Sequence, residues 1–88
     1  SKEHSLWLNK GMALNELGKY EESLKCFDKA LELARTDISP LFNKGIALAG
    51  LGTYEEAIKC FDKILSLDPG NKDAKAKKKE MLNMTKKI

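Results

Sequence analysis

The sequence is short of the residues that carry covalent and redox chemistry: its 88 positions hold one histidine, two cysteines and one tryptophan. His4, Cys26 and Cys60 are spread along the chain, with no recognised metal-ligand spacing and no histidine beside either thiol. Metal binding and thiol catalysis are therefore not expected. Two prolines among residues that are 42% hydrophobic and 33% charged exclude collagen-like and disordered compositions. No stretch approaches the roughly 18 unbroken apolar residues that a membrane span requires. The opening segment SKEHSLWLNK has neither the apolar run nor the small-residue cleavage site of a secretory signal. A chain of this length buries only about 60–65% of its unfolded surface, so it must add to a modest core by repetition or by contact with a partner. A large enzyme cleft does not fit.

What the sequence does have is a repeat. LWLNKGMALNELGKYEESLKCFDKALEL falls over PLFNKGIALAGLGTYEEAIKCFDKILSL at an offset of 34, and more than half of the aligned positions are identical. Within each copy the apolar spacing is helical. Trp7, Gly11, Leu14 and Leu17 recur every three or four residues, as do Leu41, Gly45, Leu48 and Leu51. Leu24, Phe27, Leu31 and Ala34, and then Ile58, Phe61 and Leu65, form a second stripe in each copy. Gly18-Lys19-Tyr20 and Gly52-Thr53-Tyr54 separate the stripes, as glycine does when it closes a helix in the left-handed conformation. The spacing predicts helices at 5–17, 21–34, 39–51 and 55–67, with Pro40 in the first turn of the third. Leu67-Asp68-Pro69-Gly70 ends the fourth, and Asn71 is placed to cap a fifth running from 72 to the mid-eighties. Gly11 and Gly45 lie on inward stripes where a missing side chain permits close helix crossing, and Phe27 and Phe61 are suited to fill the space.

These residues resemble the tetratricopeptide repeat, whose period is also 34. The first copy supplies Trp7, Gly11, Leu17, Gly18, Tyr20, Phe27 and Ala30; the second supplies Gly45, Leu51, Gly52, Tyr54, Ala57, Phe61 and Pro69. Lys10 and Lys44 depart by placing a charge where the family has leucine; Leu14 and Leu48 replace tyrosine, and Leu41 replaces tryptophan. Ser23 and Ile64 stand for alanines, and Arg35 for the first proline. The resemblance implies an all-α solenoid of two antiparallel helix hairpins plus a closing helix. It divides residues 1–88, as a single domain, into repeats at 4–37 and 38–71 and a capping helix with a basic tail at 72–88.

Leu8 and Met12 lie four apart, one residue off the Trp7–Gly11 stripe, and Phe42 and Ile46 are their repeat equivalents. Core packing does not obviously require them. The resemblance places first helices along a concave face, so Leu8, Met12, Phe42 and Ile46, flanked by Asn9 and Asn43, are the expected groove for a peptide, an apolar helix or a protein domain. Coverage of the stripe by the closing helix, by a further repeat or by a second copy of the chain is the alternative reading. Some family members grip a terminal carboxylate. At the matching positions this chain has Leu8, Met12, Asn43, Asp73 and Lys77, of which only Asn43 and Lys77 suit the task.

Charge is uneven. Residues 1–71 hold nine basic and eleven acidic side chains, whereas residues 72–88 hold seven lysines against Asp73 and Glu80. Lys75, Lys77, Lys78 and Lys79 form a candidate patch for a polyanion or an acidic partner. The same segment has no aromatic residue or arginine, which weighs against nucleic acid, and a solvated capping helix accounts for the lysines without any ligand. Cys26 and Cys60 are repeat equivalents, and stacked hairpins hold such positions about 10 Å apart, beyond the ~4.4–6.8 Å Cα separation of a disulfide. Free thiols fit a reducing cytoplasm. Glu21-Glu22 and Glu55-Glu56 open each second helix, where the helix dipole favours acids, and they stand four residues from Lys25 and Lys59. No GK[ST] phosphate loop occurs. The expected function is a non-enzymatic protein-interaction module without a cofactor. The alternative is a structural or self-associating segment of a longer repeat scaffold.

Overall fold

The repetition becomes a stack of helices: α1 (Lys2–Glu16), α2 (Tyr20–Leu33), α3 (Ile38–Gly50), α4 (Tyr54–Leu67) and α5 (Lys72–Lys86). A computed structural model describes residues 2–86; Lys87 and Ile88, the end of the basic tail, lie outside the described residues. Each helix packs on the next, and α1 also touches α3, so two hairpins stand side by side with α5 laid on the second. The helix limits lie within one residue of those the spacing predicts, except that α1 starts a turn early. His4 supplies the reason. Its Nε2 lies 2.6 Å from Asp37 Oδ2, at the start of α3, which ties the first turn of α1 to the second hairpin.

Each hairpin turns on the same backbone motif. Lys19 N–H donates to the Leu14 carbonyl at 2.9 Å and Gly18 N–H to Asn15 at 3.0 Å; Thr53 and Gly52 repeat the pair on Leu48 and Ala49. These are the paired bonds of a Schellman closure, and they require the left-handed φ of +76° at Gly18 and +79° at Gly52. Between hairpins a side chain starts the next helix. Asp37 accepts from Ser39 N–H at 3.2 Å to cap α3, and Asn71 Oδ1 accepts from Ala74 N–H at 2.9 Å to cap α5.

Packing within each hairpin is set by a ring against a glycine. A Cβ built on Gly11 would stand 2.5 Å from Phe27 Cε1, and one built on Gly45 would stand 2.6 Å from Phe61 Cζ. Phe27 and Phe61 are both fully buried, and each such side chain contributes about 1.5–3 kcal/mol by leaving water. Leu41, Leu48, Ala57, Phe61 and Ile64 then merge with Ala74 and Met81 of α5 into one core cluster. The inward stripes are less continuous than the periodicity implies. Leu17 is 70% exposed and Leu51 is also exposed, because both fall in the turn after the last helical residue. Trp7 is only half-buried although its equivalent Leu41 is buried, since no helix lies on the outer side of α1 among the described residues.

Two measurements test this packing. Gly45→Ala should gain about 1 kcal/mol of helix propensity yet lose more to the immovable ring, for a net destabilisation of about 1–3 kcal/mol. Gly70→Ala, where nothing stands within 4 Å of the added carbon, is the control; urea midpoints of the two variants decide it. The second test uses Cys60, whose thiol burial pushes above the ordinary 9.0, with the Lys44 charge pulling it partly back. As pH rises past 9.0 the unfolded chain releases this proton first while the folded chain keeps it, so stability falls. Urea unfolding at pH 8 and pH 10 should show a larger loss for the native chain than for Cys60→Ala.

Candidate interaction surface

The expected groove residues sit on α1 and α3, the first helices of the two hairpins, which touch one another. A polar network fixes their relation. Asn15 Nδ2 on α1 donates to the Asn43 carbonyl on α3 at 3.2 Å, while Asn15 Oδ1 lies 2.6 Å from Ser23 Oγ on α2. Ser23 is fully buried, and its one hydroxyl proton serves either Asn15 or the Tyr20 carbonyl at 2.7 Å. Its departure from alanine thus joins three helices rather than merely changing bulk.

Along this face Met12 is 41% exposed and Leu8, Phe42 and Ile46 are half-buried. Phe42 and Ile46 also rest on the core cluster. The Phe42 ring meets Phe61 edge to face, with centroids 5.6 Å apart, so Phe42 serves the fold as well as the surface. The two flanking amides are used differently. Asn43 Nδ2 donates to Ser39 in its own helix at 2.9 Å, which commits that donor locally. Asn9 is exposed and lines a separate shallow depression with Lys2, Ser5 and Leu6. Leu8, Met12, Phe42 and Ile46 thus each keep some exposure on α1 and α3, with Asn9 exposed beside them and one donor of Asn43 used inside its own helix.

The four lysines of α5 have different surroundings. Lys78 Nζ is 2.6 Å from Asp62 Oδ1 on α4, and Lys77 Nζ is 3.4 Å from Glu80 within α5. Lys75 and Lys79 are exposed. Among the described residues Glu21 and Lys25, like Glu55 and Lys59, form no ion pair with each other, while Lys29 pairs with Glu32 at 3.5 Å. Cys26 and Cys60 are buried free thiols. Among the described residues no group of three or more histidine, cysteine, aspartate or glutamate side chains is placed to hold a metal ion, and no helix is long and apolar enough to cross a membrane.

The feature that sequence reasoning missed is the role of the departing lysines. Lys44 Nζ on α3 lies 2.7 Å from Asp28 Oδ1 on α2, and Lys78 with Asp62 is the same pair one period later. Each joins the second helix of one unit to the first helix of the next. The signal was present in the lysines and aspartates themselves, which recur at the repeat spacing, but nothing in one dimension says that they face each other. A double-mutant cycle on Asp28→Ala and Lys44→Ala should give a coupling of about 0.2–1 kcal/mol, since both side chains remain partly exposed; the reading is thermal or urea unfolding of the four proteins.

Comparison with known proteins places this architecture. The tetratricopeptide repeat family model matches residues 4–37 and 39–71. No curated protein sequence matches. Among solved structures, MamA 41-end from Desulfovibrio magneticus RS-1 is 32% identical over 99% of this chain and 49% of its own, with a TM-score of 0.94. The second TPR domain of human RPAP3, solved in complex with the HSP70 peptide SGPTIEEVD, is 32% identical over 89% of this chain and 65% of its own, with a TM-score of 0.84. The Arabidopsis OM64 TPR domain is 27% identical over 89% of this chain and 64% of its own, with a TM-score of 0.83. The chain thus spans from half to about two thirds of the length of these structures. The matched repeats and the fold together show that the chain belongs to the tetratricopeptide repeat family, whose fold generally mediates protein–protein interaction.

Proposed function

We propose that the chain is a binding module that takes the apolar face of a partner helix on the strip formed by Leu8, Met12, Phe42 and Ile46, without a chemical step. The observation that carries this reading is the exposure of Met12 beside three half-buried apolar side chains on adjoining first helices. An amphipathic helix matches such a strip by burying residues spaced three and four apart. Binding then rests on apolar burial, with Asn9 available at the edge. The RPAP3 domain is described with an HSP70 peptide, but the donors needed to hold an acidic terminus are poorly supplied here. Leu8 and Met12 donate nothing, Asp73 repels a carboxylate, Asn43 spends one of its two amide N–H donors on Ser39, and Lys77 pairs with Glu80. The peptide SGPTIEEVD therefore serves as the weak-binding control. The buried thiols suit a reducing compartment, consistent with a cytoplasmic protein.

Phe42→Asp is a poor probe because it also removes the ring packed on Phe61. Met12→Asp is the cleaner one, since an exposed side chain changes without opening the core. A displayed library of amphipathic helices should yield binders to the native chain whose affinity falls about tenfold with Met12→Asp, at unchanged helicity and melting temperature. Binders indifferent to both Met12→Asp and Leu8→Asp would remove the strip from the interface. Sedimentation over a range of concentration tests the other use of the same strip, since a dimer dispersed by Met12→Asp would mean that a second copy covers it.

A further inference from the structure

The basic face of α5 is open for a reason that lies in its own residues. Each hairpin needs a glycine on its first helix to admit the phenylalanine ring of the second, as Gly11 admits Phe27 and Gly45 admits Phe61. One period after Gly45 stands Lys79, and one period after Leu41 stands Lys75. A lysine at 79 brings the Cβ and a long charged stem to a crossing that has no room for either. No helix can therefore close on this face as α2 closes on α1 and α4 on α3, whatever follows in sequence. Ala74 and Met81, both buried, seat α5 on α4, while Lys72, Lys75, Lys79 and Lys86 stay exposed.

At about 100° per residue these four lysines and Leu82, which is 41% exposed, share one stripe about 80° wide and about 21 Å long. The acids of α5, Asp73 and Glu80, fall about 80–100° round the helix from Lys72, and Glu80 is already paired with Lys77. Asp62, which reaches α5 from α4, is taken by Lys78. Among the described residues none of the four stripe lysines forms an ion pair. We infer that this stripe is a second docking surface, separate from the strip on α1 and α3, for an acidic helix of a partner protein. Carboxylates three and four residues apart along one face of the partner meet the lysines, and one apolar side chain among them covers Leu82. The chemistry of the stripe favours this occupant over other anions. It has no arginine fork or aromatic ring to hold a nucleic acid, and a single leucine offers too little apolar area to enter a lipid surface.

The probe is a synthetic helix of the length of α5, fluorescently labelled, with glutamate every third or fourth residue along one face and one leucine among them. Its anisotropy with the full chain should show saturable binding that weakens as salt rises. Lys75→Glu with Lys79→Glu, both exposed, should lower affinity about tenfold at unchanged melting temperature. The same double variant should bind a probe that carries lysine in place of glutamate. Lys10→Glu with Lys25→Glu makes an equal change in net charge on α1 and α2, and should leave affinity within about twofold. Met12→Asp should leave it unchanged, which keeps this surface distinct from the strip. No saturable binding at low salt up to about 1 mM of chain would overturn the proposal. Equal losses from the two double variants would also overturn it, since net charge alone would then account for binding. Vesicles containing phosphatidylserine that bind through Lys75 and Lys79, where the acidic helix does not, would assign the stripe to a membrane surface and equally end the proposal.

Discussion

The close approach of a phenylalanine ring to a glycine is the contact on which this fold depends. Phe27 against Gly11, and Phe61 against Gly45, let two helices cross with no room for a methyl group between them. Everything else in a hairpin follows from that distance. The left-handed glycines at 18 and 52 return the chain at the right spacing, and the acids that open α2 and α4 sit where the helix dipole favours them. A hairpin built this way has an apolar flank on each side and cannot stand alone, which is why the units stack and why α5 lies on the last one.

Stacking is where polar chemistry enters. Asn15 reaches the backbone of α3, His4 contacts Asp37, and the Lys44–Asp28 and Lys78–Asp62 pairs repeat at each junction. None of these contacts is strong, because most of the groups retain water. Their value is in register. A slip of one residue along a helix turns each lysine about 100° away from its aspartate, while apolar packing tolerates more. The same junction chemistry explains why Lys44 stands where the family carries leucine.

Most of the fold was legible in the sequence. Period, turn glycines and apolar spacing located five helices, because each is a local property of the chain. Asn71 as a cap and Pro40 in a first turn were readable for the same reason. The candidate surface was legible only in outline. Leu8, Met12, Phe42 and Ile46 do lie on the first helices, but Phe42 proved to be shared with the core and Asn43 with its own helix. The extent of α1 was also misjudged, since its first turn is held by Asp37, far away in sequence.

The sequence by itself determined the number of helices, the hairpin closures and the apolar stripes, all of which depend on neighbours within a turn or two. Tertiary structure alone decided which charges meet, how Ser23 is satisfied and which apolar side chains remain open. Those outcomes depend on what stands across from each residue in space. Equivalent residues therefore have unlike fates: among the described residues Leu41 has α2 packed before it and is buried, whereas Trp7 has no such neighbour and is half-buried.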